Sequence, residues 1–437
     1  MLEILNIFYF FAIFILLFSF PFNKILVDKI IKTKNHNFNF FDFQSLNIIF
    51  FCYLMLIISF FNLNLKIVYY FYLLVALIYA FKFNFKKLNL KKIKDKKYFF
   101  FFSLITVSIF FYVAHNLKLE WDGHHWLEKV VFFYDENKIE NFYKLKIHPE
   151  YPHLGSYIWA LFWKNSFINF EYVGRLFCIY FYSITVFSFA NILDNKLEKF
   201  KIFLIIFLII ITFEPYLLGG YQDYFLFSIL ILSSRLIIFL DFKKINHNLL
   251  IIIILTLGLM MWFKDEGLIY YTLFSLLLLL NIDIKTNLKF FYLFLVFFII
   301  LINFIIVKYL LGLYELPSGT ASSLTLEITE MINNYKLIVT RSLDVILQLL
   351  IDSIKYPAWI IIFCSIFFLF YKRLIKDKIK FFIQCLILNI LFLYTSFITF
   401  GSGDYMLSVA FDRLLFQTSG FYLNLGLMVL NFKKKQI

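Results

Sequence analysis

Uncharged apolar runs recur along the whole chain, among them 98–117, 202–213, 249–263, 290–307 and 386–403, with short polar or basic segments between them. Several approach the roughly 20 residues that a helix needs to cross about 30 Å of hydrocarbon. The pattern predicts about 13 transmembrane helices. They fall near 4–22, 45–62, 66–81, 98–115, 171–193, 202–219 and 221–240. The rest fall near 249–263, 267–281, 288–312, 346–371, 381–400 and 411–430. Spans 66–81, 249–263 and 267–281 are short, which predicts tilt, a break or support from neighbours. The segment 153–164, HLGSYIWALFWK, is too short to span, and Trp159 and Trp163 suit a helix lying at the interface. The first run lacks a basic leader and a small-residue cleavage site, so it reads as an uncleaved helix.

Composition agrees with this pattern. The 437 residues are 62% hydrophobic, well above the roughly 45–50% apolar content of soluble domains. The net charge of +14 raises the question of nucleic acid, but its distribution answers otherwise. Lysines crowd the segment between Lys82 and Lys97, a second group runs from Lys372 to Lys380, and Lys433, Lys434 and Lys435 lie near the end. Short basic loops between apolar spans mark the cytoplasmic side. This places the N-terminus outside, the C-terminus inside, and the loops 116–170 and about 313–345 outside. The charge orients the chain and leaves no separate nucleic-acid patch. Cys52, Cys178, Cys364 and Cys385 all fall in apolar spans and read as packing residues.

Polar chemistry concentrates in the first outer loop. It holds or borders His115, His124, His125, His148 and His153, together with Glu120, Asp122, Glu128, Asp135, Glu136, Glu140 and Glu150. Most of these belong to a solvated loop. Asp122 differs, because EWDGHHW (120–126) sets it just past a membrane helix between Trp121 and Gly123. Partial desolvation there suits a carboxylate to act as a base. Further polar groups fall in outer turns: EPYLLGGYQDY (214–224), WFKDEGL (262–268) and GSGDY…FDR (401–413). KDEG interrupts an apolar run, and ionisable groups at such a place are functional candidates by default. The break also frees backbone N–H groups that can hold an anion.

The ordered segments WDGHHW, HPEYPHL (148–154), GGYQDYFLF (219–227), WFKDEGL and FDRLLFQ (411–417) resemble the GT-C membrane glycosyltransferases. The resemblance is nearest to the bacterial branch related to protein mannosyltransferases and lipopolysaccharide sugar transferases. It covers about 98–430, so 98–437 reads as a GT-C-like catalytic region and 1–97 as additional N-terminal helices with a basic cytoplasmic loop. Glu150, His153, Gln222 and Asp265 depart from the residues expected there.

The resemblance implies transfer of a sugar from a polyprenyl-phosphate carrier to an acceptor hydroxyl on a lipid, glycan or protein, with inversion. The reaction would occur at the outer, periplasmic face of the cytoplasmic membrane. Asp122 takes the role of base, with Glu120 in reserve. Lys264, Glu266 and Arg413 take the donor phosphate, and His124, His125, His148, Glu150, Tyr151, Tyr221 and Asp223 shape the substrate pocket. No cofactor is expected. A divalent metal on the histidines is the rival reading, but adjacent His124 and His125 are awkward joint ligands for one ion. The alternative function is a transporter or flippase with Lys264, Glu266, Arg413 and Asp223 along its path. Transporters often carry paired broken helices, whereas this chain shows one clear break, at KDEG.

Overall fold

The computed structural model describes residues 1–19, 39–82, 96–116, 118–146, 149, 151–191, 198–306, 311, 335–399 and 410–432. Among these residues, sixteen α-helices and three 3₁₀ turns make up the regular structure, and there is no strand. The chain begins with α1 (Leu2–Ser19), α2 (Phe40–Ser59), α3 (Leu65–Lys82) and α4 (Lys96–Asn116). A connecting region carries α5 (Trp121–Tyr134) and α6 (Leu154–Lys164). Next come α7 (Tyr172–Ala190), α8 (Glu198–Thr212), α9 (Asp223–Phe239), α10 (His247–Gly258) and α11 (Glu266–Asn281). The last are α12 (Thr286–Ile305), α13 (Tyr335–Lys355), α14 (Pro357–Tyr371), α15 (Asp377–Thr399) and α16 (Phe411–Phe432).

Apolar runs fold as helices because only a helix pairs all its backbone groups within one segment when no water is at hand. Among the described residues, six helices are long and apolar enough to cross a membrane: α1, α2, α4, α7, α12 and α15. The bent pair α13–α14 makes a seventh if it is one span. Shorter apolar helices coincide with the three short runs singled out above, at Leu65–Phe81, His247–Trp262 and Glu266–Asn281. Among the described residues the protein is therefore all-helical and multi-pass, with six or seven helices that qualify as spans where the sequence pattern predicts about 13.

Three expectations change. The run 346–371 is not one straight helix, because α13 and α14 meet at 99° just before Pro357. Proline cannot donate to the preceding turn and biases the residue before it towards extended backbone, so the helix stops there. The run 202–219 ends as an α-helix at Thr212, and Pro215 begins a separate 3₁₀ turn. The segment 153–164 is helical from Leu154, but residues 154–162 are buried on every side, including Trp159. It packs inside the bundle against α2, α3, α5 and α7 instead of lying on a surface. The calls on 83–95, 312–334, 401–409 and 433–437 lie outside the described residues.

At the centre stand α7, buried throughout its length, and α9, buried from Asp223 to Ile237. A helix apolar on all faces belongs inside a large bundle. By contrast α12 is almost wholly at the periphery, exposing Phe290, Phe294 and Phe297. The N-terminal helices join this same core through a buried ion pair. Asp42 closes a capping box on Asn39 at the start of α2, and its carboxylate accepts hydrogen bonds from Arg235 Nη2 at 2.7 Å and from Arg235 Nε. Ser188 Oγ of α7 donates to the same carboxylate. Removing one member of a buried pair strands the other, at a cost of about 3–5 kcal/mol, whereas an apolar pair of similar size is often tolerated. Asp42→Ala should thus lower the melting temperature of the detergent-purified protein sharply, and Asp42→Leu with Arg235→Met should restore most of the loss. A double variant no more stable than Asp42→Ala would show that stranded charge is not the cause.

Candidate functional site

The segment GGYQDYFLF starts α9 at Asp223, whose carboxylate is fully buried. Side chains from two distant segments converge on it. Lys264 Nζ donates to Oδ1 at 3.2 Å, Arg413 Nη2 donates to Oδ2 at 3.1 Å, and Gln417 Nε2 donates to Oδ1. Lys264 also lies 3.4 Å from Glu266, and the Arg413 guanidinium sits 4.3 Å from the centre of the Tyr221 ring. Two cations and two carboxylates balance one another. The negative charge on the first residue of α9 also faces the positive end of that helix's dipole.

Local sequence explains how these groups meet. The 3₁₀ turn Leu259–Trp262 extends α10, the helical run breaks, and α11 starts at Glu266. The interruption expected at KDEG is present, and it sets Lys264 between two helices. Phe263 stacks on Phe225 at 4.3 Å, which fixes the break against α9. Arg413 and Gln417 are one turn apart on α16 and so share a face. Beside them, Asp412 accepts from Lys355 at 3.1 Å, Tyr356 at 3.2 Å and Tyr216 at 3.3 Å. Burial raises the Glu214 carboxyl above its ordinary range; nearby Asp412 adds to this and Lys355 opposes it.

The EWDGHHW stretch is clamped onto the same turn. Glu120 precedes α5, and its backbone N–H donates to Gly219 O at 3.0 Å. Gly123 lies so close that a Cβ there would come within 2.2 Å of Gly219 O. Gly220 has φ +105°, a conformation that side-chain-bearing residues rarely adopt. Further along α5, Lys129 is buried, donates to Tyr151 O at 2.9 Å and lies 5.1 Å from the Trp126 ring. His153 is wholly buried among Phe60, Phe133, Phe142 and Trp262, with Nε2 2.8 Å from Ser59 Oγ. Desolvation, and secondarily Lys129, pushes its pKa down to about 3.

Of the residues singled out from sequence, Tyr221, Asp223, Lys264, Glu266 and Arg413 form one contiguous cluster. Lys264 and Arg413, expected to face a phosphate, are held by Asp223. Tyr151 instead packs against α5, its carbonyl accepting from Lys129 and its ring 5.8 Å from that of Trp126. Glu120 and His124 are exposed and His125 is half-buried. The side chain of Asp122, in the first turn of α5, and the residues His148 and Glu150 lie outside the described part. Among the described residues, no group of three or more His, Cys, Asp and Glu could hold a metal ion.

Sequence reading missed several members. Gln417 carries no charge, and only its spacing from Arg413 marks it. Arg175, buried on α7, pairs with Glu171 at 2.8 Å and donates to Leu218 O at 2.9 Å. Burial raises the Glu171 carboxyl, with Arg175 opposing. Arg175, Trp159, Gly220, Tyr221 and Gln222 line a small cleft beside the charge cluster. Tyr270 OH, Gln222 Oε1 and Gln417 Oε1 are buried without a hydrogen-bond partner among the described residues. Such atoms cost about 1–3 kcal/mol each unless water or a ligand satisfies them.

No protein-family model matches the chain, and no curated protein or solved structure matches it either.

Two outcomes follow from this geometry. Gly123→Ala should force α5 off the Gly219–Gly220 turn, destabilising the protein by about 1–3 kcal/mol, while alanine at exposed His124 leaves the melting temperature nearly unchanged. Equal melting for wild type and Gly123→Ala would mean that the helix yields freely. The second outcome concerns pH. His153 binds protons less readily folded than unfolded, so its stabilising effect is complete above about 6.5 and declines as pH falls towards 3. Thermal melts between pH 7 and 4 should show this decline, and His153→Gln, which cannot gain a proton, should flatten it.

Proposed function

We propose that this protein is a GT-C-type integral-membrane glycosyltransferase that moves a sugar from a polyprenyl-phosphate carrier to an acceptor hydroxyl, with inversion. One observation carries the reading: the five segments that prompted it by their order in the sequence are packed together in space. WDGHHW meets GGYQD through Gly123 and Gly219. HPEYPHL meets WDGHHW through Tyr151 and WFKDEGL through His153. GGYQD, WFKDEGL and FDRLLFQ share the Asp223 carboxylate. In this reading about 13 segments cross the cytoplasmic membrane, the lysine-rich loops face the cytoplasm, and the site faces outward.

In the reaction, the acceptor oxygen attacks the anomeric carbon and the bond to phosphate breaks, its electron pair leaving with the carrier. Asp122 takes the acceptor's proton. The phosphate gains charge as it leaves, and Lys264 and Arg413 stabilise that charge in a water-poor setting. Asp223, itself braced by a hydrogen bond from Gln417, holds the two cations in place, so little reorganisation is needed when the bond breaks. Tyr221 and the cleft beside it receive the sugar. The acceptor is a lipid, glycan or protein hydroxyl in the same leaflet.

The test is a membrane assay with radiolabelled donor lipid at matched protein level. Asp122→Asn should lower transfer by about 10²–10⁴-fold with donor binding retained. Arg413→Ala should weaken donor binding, and Arg413→Lys should recover it only in part because the guanidinium fork is lost. Near-normal turnover by Asp122→Asn would remove that residue from the mechanism, and loss in Glu120→Gln instead would move the base two residues upstream.

A further inference from the structure

Among the described helices, α13 combines the strongest segregation of apolar and polar residues with the lowest overall hydrophobicity. Leu343, Leu347, Leu350, Ile351 and Ile354 fall on one face at helical spacing and are 54–69% exposed. The opposite face is anchored: Val345, Asp352 and Ser353 are buried where α13 packs on α14, α15 and α16. Soluble surfaces rarely expose an apolar stripe of this kind. A second, independent feature is the 99° bend into α14. That helix is apolar throughout and exposes Phe363, Phe367 and Phe370, so its surroundings are lipid. A helix at right angles to one aligned with the membrane normal runs in the membrane plane. The bend itself carries the polar groups Lys355, Tyr356, Asp412 and Tyr216 in hydrogen-bonded contact, a combination suited to the water–lipid boundary.

We propose that α13 lies flat in the membrane interface, with its apolar stripe sunk about 5–10 Å into the headgroup–acyl boundary and lipid as the occupant of that stripe. The proposal rests on the multi-pass character of the chain and not on sugar transfer. It also assigns a depth to the charge cluster. Asp412 bonds to the bend and adjoins Arg413, which holds Asp223, so the cluster sits at headgroup level. A substrate reaching it is read at that level, as an amphiphile would be.

Depth measurement tests this directly. Of the four native cysteines, only Cys364 on α14 is exposed. In a Cys364→Ser background, single cysteines at 343, 347, 350 and 354 would carry an environment-sensitive fluorophore in vesicles containing lipids spin-labelled at known depths. The native Cys364 serves as the α14 reference. All four α13 positions should be quenched by shallow labels at nearly one depth, with Cys364 deeper. A spanning α13 would instead spread positions 343 and 354 over about 16 Å of depth, which would overturn the proposal. Water-like emission at all four would also overturn it. So would absence of lipid quenching with cross-linking between copies, which would assign the stripe to a dimer contact.

Discussion

A carboxylate with no access to water cannot keep its charge inside an apolar bundle unless cations reach it, and Asp223 sets that requirement for the whole protein. Desolvating an ion costs several kcal/mol even after the surroundings relax. Lys264 and Arg413 offset that cost, and each comes from a different part of the chain. The requirement dictates architecture. The α10–α11 run must break so that Lys264 can stand beside α9, and α16 must pack along α9, its most extensive partner in the bundle. Small residues then let the connecting region close over the turn before Asp223, with Gly123 against Gly219. The cleft, the aromatic stacking of Phe225 on Phe263 and the seat of Tyr221 under the Arg413 guanidinium all follow from that arrangement.

Much of this was legible in the sequence, for reasons that also define where legibility stopped. Apolar runs translate into helices because the bilayer leaves the backbone no other partner, so the runs near 4–22, 171–193 and 288–312 appear as α1, α7 and α12. The charged interruption at KDEG was readable because ionised groups in an apolar run demand an explanation. Hydropathy does not record direction, however, so the right angle before Pro357 was hidden within a run that reads as one span. Nor does it separate a helix facing lipid from one facing protein, which is why α6, bearing two tryptophans, was assigned to a surface and proved to be interior. In the site, charge drew attention to Asp223, Lys264, Glu266 and Arg413, while uncharged Gln417 and Tyr270 offered no comparable signal. Which cation meets which anion depends on tertiary pairing, and the separation of 190 residues between Asp223 and Arg413 is invisible to any local pattern.

Two buried charges of α9, one at each end, are held by ion pairs to other helices or their approaches. Asp223 stands at the start of α9 and Arg235 in its penultimate turn, the first held by groups from α11's approach and α16, the second by α2. Each charge is opposite in sign to the dipole end it is nearest, so the helix itself favours this arrangement. Reversal or sliding of α9 would separate both charges from their partners at once. A single buried helix thereby registers the N-terminal helices against the C-terminal one.

That pairing has a consequence for how the chain is made. Asp223 leaves the ribosome 190 residues ahead of Arg413, a delay of about 10–40 s at ordinary synthesis rates of 5–20 residues per second. During that interval the Asp223 carboxylate, at the start of α9, has one of its two cations, Lys264, already made and the other still to come. The full pairing of α9 therefore waits on the last helix of the chain. A chain that stops short of α16 lacks Arg413 and Gln417, two of the three side chains that hold the Asp223 carboxylate.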